Sequence, residues 1–336
     1  MKKLLYIGNK LSEHGYTSTS IETLGAFLES EGYTIYYASS KKNTFLRMLE
    51  MIVKTIHYSK KVDYVLIDTY STKNFWYALI ISQLCRVLNL KYIPKLHGGD
   101  LPNRIDKTRF FSKLIFNNAY INIAPSHYLL DAFTQHGYQN LKYIPNTIEL
   151  DVYAPAVKEF KTPKLLWVRS FAAIYNPLMA VKVLQKLKVN YPNAELCMVG
   201  PIKDDSFEKT LRFANKHTIE VKFTGILSKE EWIALSAGYN IFINTTHYDN
   251  TPISVLEAMA LGLPVVSTNV GGIPYLLEHE RNALLVADND TNEMVYQINR
   301  LIIEPDLAQS ITTKATDDIT HFDWQIVKKQ WIDLLK

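Results

Sequence analysis

Cysteine is nearly absent from this chain of 336 residues, occurring only as Cys85 and Cys197. The two lie far apart inside apolar runs, SQLCRVL and AELCMVG. That argues against a disulfide or a thiolate metal site and for two buried free thiols, as a reducing cytoplasm allows. Long hydrophobic runs are also missing. The longest, Phe75 to Leu84, falls well short of the roughly 20 residues a membrane-spanning helix needs and is followed by Arg86. MKKLLYIG starts basic, but its apolar stretch stops at Gly8, so it reads as a first strand rather than a signal peptide. There is no GxGxxG, no nucleic-acid motif and little surplus of one charge, the formal net charge being +4, so DNA and RNA are not expected partners. The one Asp-x-Asp, Asp288-Asn289-Asp290, precedes a helical stretch and reads as its cap, and no metal or other cofactor is expected.

What is present is a regular alternation. Short apolar runs of strand length are separated by longer segments of helical period almost throughout, the pattern of parallel sheets covered on both faces. Strands are expected at 3–8, 34–38, 64–68, 92–96, 119–124 and 141–144, then at 164–169, 195–199, 220–223, 241–244, 264–267 and 283–286. The fold class is therefore α/β, with two doubly wound parallel sheets in tandem, and the length exceeds what one core usually serves. The polar stretch from Asp151 to Pro163, flanked by Pro155 and Pro163, marks the boundary. It separates domains at 1–155 and 156–320, with 321–336 as a tail helix that has an apolar face to bury. Charge divides unevenly across the midpoint: residues 1–160 carry 19 Lys/Arg against 13 Asp/Glu, and 161–336 carry 18 against 20. The first half is thus the one suited to an anionic partner.

The most informative stretch is HYDNTPISVLEAMALGLPVVST, His247 to Thr268. Pro252 suits the first position of a helix. The N–H groups of Ile253, Ser254, Val255 and Leu256 would then be the unpaired donors of its first turn, able to hold a phosphate or diphosphate with the helix dipole behind them. Glu257 falls on the same face as Ile253, one turn below, where a carboxylate could accept from both ribose hydroxyls. Asp249 precedes the helix and could reach a donor sugar. The alternative is that Asp249 and Asn250 merely cap the helix and Glu257 is a solvated surface residue.

The acid pair Asp249 and Glu257 followed by Ala-Met-Ala, Gly and Pro-Val resembles the signature of the family-4 retaining glycosyltransferases, which adopt the GT-B fold. The usual first acid is a Glu, replaced here by Asp249, and Thr251-Pro252 stands where Phe-Gly is usual. The resemblance extends over nearly the whole chain through IPNTIEL (144–150), VGPI (199–202), FTGIL (223–227) and GGIP (271–274). It implies that Glu257 holds the nucleotide ribose, Asp249 contacts the donor hexose, and Gly225 and Ile226 lie beside the base. Arg169, ending LLWVR, would neutralise the leaving diphosphate. The Lys usual five or six residues later is missing, the positions being Ile174, Tyr175 and Asn176, so Lys203 is a candidate second cation. In the first half the resemblance places Gly15 near the donor phosphates and His97, in HGGD, against the donor sugar. Retention implies front-face attack, with no separate base.

The implied activity is transfer of a hexose from a nucleotide sugar, a UDP-sugar, to a glycan or lipid-linked acceptor in cell-surface polysaccharide or lipopolysaccharide assembly. Rival readings are an epimerase or hydrolase of the same fold and a silent nucleotide-sugar-binding protein. Two segments, 43–61 and 103–116, interleave large apolar residues with Lys and Arg, and their composition allows peripheral contact with an anionic membrane at the inner face of the plasma membrane.

Overall fold

Runs such as YVLIDTY and VVST leave no face for water and are satisfied only inside a sheet covered on two sides. The structure, a computed structural model, describes residues 2–14, 19–155 and 159–336 and contains two such sheets. The first comprises β1 (Lys3–Ile7), β2 (Thr34–Ala38), β3 (Tyr64–Tyr70), β4 (Lys91–His97), β5 (Asn122–Ala124) and β6 (Leu141–Tyr143), in the order β2-β1-β3-β4-β5-β6. The second comprises β7 (Lys164–Val168), β8 (Glu195–Val199), β9 (Lys222–Gly225), β10 (Ile241–Asn244), β11 (Val265–Thr268) and β12 (Leu284–Val286), in the order β12-β11-β10-β7-β8-β9. Every named pairing is parallel. The strand order reverses between β1 and β3 in the first sheet and between β7 and β10 in the second, and beyond the carboxyl ends at such points lies the crevice where ligands bind in open α/β sheets.

Strand alternation assigns the two faces of the first sheet. Leu4, Tyr6, Leu66 and Ile93 pack against helices Ser20–Ser30 and Trp324–Leu334, while Leu5, Ile7, Val65 and Ile67 pack against helices Thr44–Tyr58 and Phe75–Val87. The tail helix belongs to this sheet. Trp324 stacks on Phe27 at 4.9 Å, and its indole N–H and Lys328 both reach Glu31, at 3.2 and 3.0 Å. The two compact units are therefore 1–147 with 324–336, and 148–323. The expected edge at 155 falls inside the second unit, because Ile148 and Tyr153 are buried among Leu166, Phe242 and Leu256. Both cysteines are buried free thiols, and burial pushes Cys85 up to about 12.

Candidate functional site

In the second unit, the chain leaves β7 at Arg169, whose N–H donates to the Val199 carbonyl at 3.0 Å. Gly200 makes that approach possible. Its φ is +145°, and a Cβ there would lie 2.0 Å from the Arg169 carbonyl oxygen. Beyond β10 the chain runs to Asp249, and the loop is seated the same way: a Cβ on Gly271 would meet the Asp249 carbonyl at 2.4 Å, and one on Gly272 the Asn250 carbonyl at 2.2 Å. The Gly272 N–H donates to the Asp249 carbonyl at 2.8 Å. The glycines of VGPI and GGIP thus set two loop backbones that bring Arg169 and Asp249 together.

The carboxylate of Asp249 forms an ion pair with the Arg169 guanidinium, both side chains being largely buried. Asp249 also accepts from the Asn250 N–H at 2.8 Å. The guanidinium lies over the Tyr175 ring, 4.2 Å from its centroid. Burial lowers the Arg169 pKa from its ordinary value, with the Tyr175 hydroxyl opposing. The Arg169 Nε is buried and has no hydrogen-bond partner among the described residues. Two expectations change here. Asp249 spends its carboxylate on Arg169 and Asn250 rather than on capping a helix, and the position of the missing Lys is filled by an aromatic floor beneath Arg169.

The helix Ile253–Ala260 forms as expected, but Pro252 is its N-cap, with φ −70° and ψ 120°, rather than its first helical residue. The Pro252 carbonyl consequently opens the ladder, accepting from the Val255 N–H at 3.1 Å and the Leu256 N–H at 3.3 Å. Of the four donors assigned to an anion, Val255 and Leu256 are already engaged, so the N–H groups of Ile253 and Ser254 precede the first bonds. The Ser254 hydroxyl is buried and has no partner among the described residues. One turn on, Glu257 Oε1 accepts from the Tyr153 hydroxyl at 2.7 Å, and Lys229 sits 5.0 Å over the Tyr153 ring. Burial raises Glu257 above the usual carboxylate range, with Tyr153 and Lys229 pulling it back. Tyr153 was missed in the sequence, where it sits 104 residues from Glu257 in a stretch read as linker.

The remaining candidates of this unit are peripheral to that pair. Gly225 ends β9 with φ +73° and accepts from the Gly200 N–H at 2.8 Å, and Ile226 beside it is half exposed. Lys203 lies on the exposed loop after β8, its N–H donating to the Phe171 carbonyl at 2.9 Å. Asp290 caps helix Thr291–Ile303, accepting from the Glu293 N–H at 2.8 Å, while Asp288 binds His247 Nδ1 at 2.8 Å. Among the described residues, no group of three or more His, Cys, Asp or Glu is disposed to hold a metal ion.

The first unit carries its own cluster where its strand order reverses. His97 closes β4 with Nε2 2.9 Å from Asp68 Oδ1, and Tyr70 stacks on its ring at 4.9 Å. Asp68 is wholly buried near the end of β3 and accepts from the Tyr6 hydroxyl at 3.0 Å. Its second oxygen faces the end of β1, where a Cβ on Gly8 would come within 2.8 Å, and has no partner among the described residues. Lys95 is buried alongside and donates to Ser20 Oγ at 2.6 Å and Asn146 Oδ1 at 3.3 Å. Burial lowers the pKa of His97, Asp68 opposing, and brings Lys95 down to about 8. Neither Asp68 nor Lys95 was singled out in the sequence. Gly15 lies outside the described residues.

These geometries can be set beside known proteins. Residues 154–318 match the sequence profile of glycosyl transferases group 1. An uncharacterized glycosyltransferase of Haemophilus influenzae is 28% identical over 156 residues, 46% of this chain and 44% of that protein. The sulfoquinovosyl transferase of Arabidopsis thaliana is 26% identical over 151 residues, 44% of this chain and 28% of that protein. The matched stretch therefore spans less than half the length of these relatives. The matching family and both relatives carry glycosyltransferase names. Among solved structures, sucrose-phosphate synthase from Thermosynechococcus elongatus superimposes with a TM-score of 0.83 at 17% identity, over 99% of this chain and 98% of that one. Anabaena HepE in complex with UDP and glucose gives 0.79 at 17%, over 100% and 99%. The lipopolysaccharide outer core galactosyltransferase WaaB gives 0.69 at 14%, over 98% of each. At such identities the likeness speaks for the fold, which is GT-B.

Proposed function

We propose that this protein is a glycosyltransferase, a retaining hexosyltransferase that takes a sugar from a UDP-sugar and needs no metal. Its acceptor is a glycan or lipid-linked sugar of cell-surface polysaccharide or lipopolysaccharide assembly, met at the inner face of the plasma membrane. One observation carries the reading: at the β7/β10 switch point, a buried arginine Nε and a buried serine hydroxyl, both unspent among the described residues, adjoin a helix start with a carboxylate one turn below. That donor set suits a diphosphate, and the carboxylate suits the two hydroxyls of a ribose. HepE, bound to UDP and glucose, and WaaB, named for a sugar transfer in lipopolysaccharide, support the choice of donor and pathway.

In this reading the ribose hydroxyls donate to Glu257, which must be ionised, and Tyr153 holds it so. The diphosphate engages the Ile253 and Ser254 N–H groups, Ser254 Oγ and Arg169, competing with Asp249 for the guanidinium. As the bond from the sugar's anomeric carbon to the phosphate oxygen breaks, Arg169 and the helix dipole offset the charge left on UDP. The acceptor oxygen bonds to the same face of that carbon and its proton passes to the departing phosphate. Asp249, freed by that competition, is assigned to the transferred hexose. His97 and Gly15 are assigned to the donor, and Gly225, Ile226 and Lys203 to its base and phosphates, on the resemblance alone.

The test is UDP affinity and UDP-sugar turnover for the wild type and Glu257→Ala. Losing both ribose bonds to a charged acceptor is expected to weaken UDP binding about a hundredfold. Unchanged affinity would remove Glu257 from the ribose. Donor consumed without an acceptor would favour the epimerase or hydrolase, and binding without turnover across acceptors the silent protein.

A further inference from the structure

The helix Thr44–Tyr58 is apolar on two faces, for Met48, Met51, Ile52 and Tyr58 pack against the core on one side and a second set of apolar residues lies on the other. Its buried positions are Arg47, Met51 and Thr55, whereas Phe45, Leu49, Val53 and Ile56 share the opposite face and point to solvent. Phe45 is 70% exposed and Val53 62%. Arg47 is held inward by the carbonyls of Lys41 and Lys42, so the orientation is built rather than incidental. Ordinary surface helices keep a polar face opposite the buried apolar stripe, and this one does not.

The surface continues. Helix Phe75–Val87 packs beside Thr44–Tyr58 and exposes Trp76, whose ring meets Phe111 of helix Arg109–Phe116 edge-on at 5.4 Å, and the neighbouring Phe110 is 68% exposed. An apolar band therefore crosses three adjacent helices of the first unit, larger than scattered surface hydrophobics. Its margin is cationic. Apart from the buried Arg47, segments 41–61, 72–90 and 101–118 hold eleven lysines and arginines against two carboxylates. Of those carboxylates, Glu50 is bound by Lys54 and Ser39, and Asp106 by His136. Lys41 and Lys42 are exposed at one end of the outward-facing helix, and Lys60 and Lys61 at the other.

The charge chooses the occupant. A second copy of this face would set one cationic margin against another, and like charges there oppose association. An anionic bilayer takes both parts: the apolar stripe enters the acyl boundary and the lysines meet the headgroups. We propose that this three-helix face is a membrane-docking surface selective for anionic lipid. The inference does not depend on the assignment of donor or acceptor.

The experiment is cosedimentation of the full chain with vesicles of phosphatidylcholine alone and of phosphatidylcholine with phosphatidylglycerol. Binding is expected to the anionic vesicles at low salt, and about tenfold less at high salt. The double substitution Phe45→Ser with Val53→Ser should abolish it, and Lys41→Glu with Lys42→Glu should weaken it. These side chains are exposed, so thermal melting and UDP binding should stay at wild-type values, which separates loss of the surface from loss of the fold or the donor site. Three results would overturn the proposal: no binding to anionic vesicles at low salt, equal binding to both vesicle types, or a dimer in sedimentation velocity that the serine substitutions dissociate.

Discussion

The two places where strand order reverses have been furnished by different means. In the first unit the cluster is made of side chains: Asp68, His97, Tyr6, Lys95 and Ser20 bond to one another, with Tyr6, Asp68 and Lys95 buried. In the second unit the cluster is made of backbone. Glycines at 200, 271 and 272 let loops approach so closely that Arg169 and Asp249 meet, and a helix start presents its N–H groups. A charge network in low dielectric is sensitive to what each partner's charge does to the others. A backbone cradle is sensitive to a single methyl group. The contrast separates what a buried ionic network controls, which is protonation, from what a glycine-seated loop controls, which is position.

The largest effect tests the backbone side. Gly200→Ala should destabilise the protein by about 3 kcal/mol or more, since strain at positive φ adds to a collision with fixed backbone. Gly225→Ala is its control. It also has positive φ, but an added Cβ meets nothing within 4 Å, so it should cost only about 1 kcal/mol. Similar urea midpoints for the two variants would mean that close approach is not what seats Arg169.

Asp68→Asn tests the ionic side. Keeping an acceptor for Tyr6 while removing the charge should cost about 2 kcal/mol. Because Asp68 props up the pKa of His97 against burial, the His97 titration followed by NMR should move to lower pH, and a merely structural role would leave it where it is. Lys95 supplies a linked observation. Its pKa of about 8 lies below the ordinary 10.5, so the native state binds fewer protons than the unfolded chain between those values. Stability in the wild type should therefore gain from Lys95 as pH rises through that window and lose that gain as pH falls.

The smallest effect crosses the comparison, because Tyr153 and Glu257 are an ionic contact set within the backbone cradle. Tyr153→Phe removes a bond that favours the Glu257 carboxylate, whose pKa burial has already raised. UDP affinity near neutrality should fall by less than about tenfold. Its acid limb, measured by calorimetry across pH, should move upward. An unmoved limb would mean that another group governs it.

How much of this was readable in advance depended on distance along the chain. The strands were readable to within a few residues, because period and length are local properties, though β5 begins three residues later than expected and β9 two. The Ile253–Ala260 helix and its Glu257 were readable for the same reason. Pro252 was misplaced by one position because N-cap and first helical residue differ only in ψ, which no composition reports. The partners of the candidates were not readable: Asp68 lies 29 residues from His97 and Tyr153 104 from Glu257. Nothing in either local pattern names the other.

The sequence by itself determined the alternation that makes two parallel sheets, and with it the strand ends at which Arg169 and His97 must stand, because hydrophobic period acts over a few residues. Tertiary structure alone decided that Arg169 faces Asp249, that Tyr153 leaves the linker to hold Glu257, and that the helix Thr44–Tyr58 leaves a second apolar face outward. Those outcomes depend on which side chains are left to meet once the sheets close, and that is a property of packing rather than of any stretch of chain.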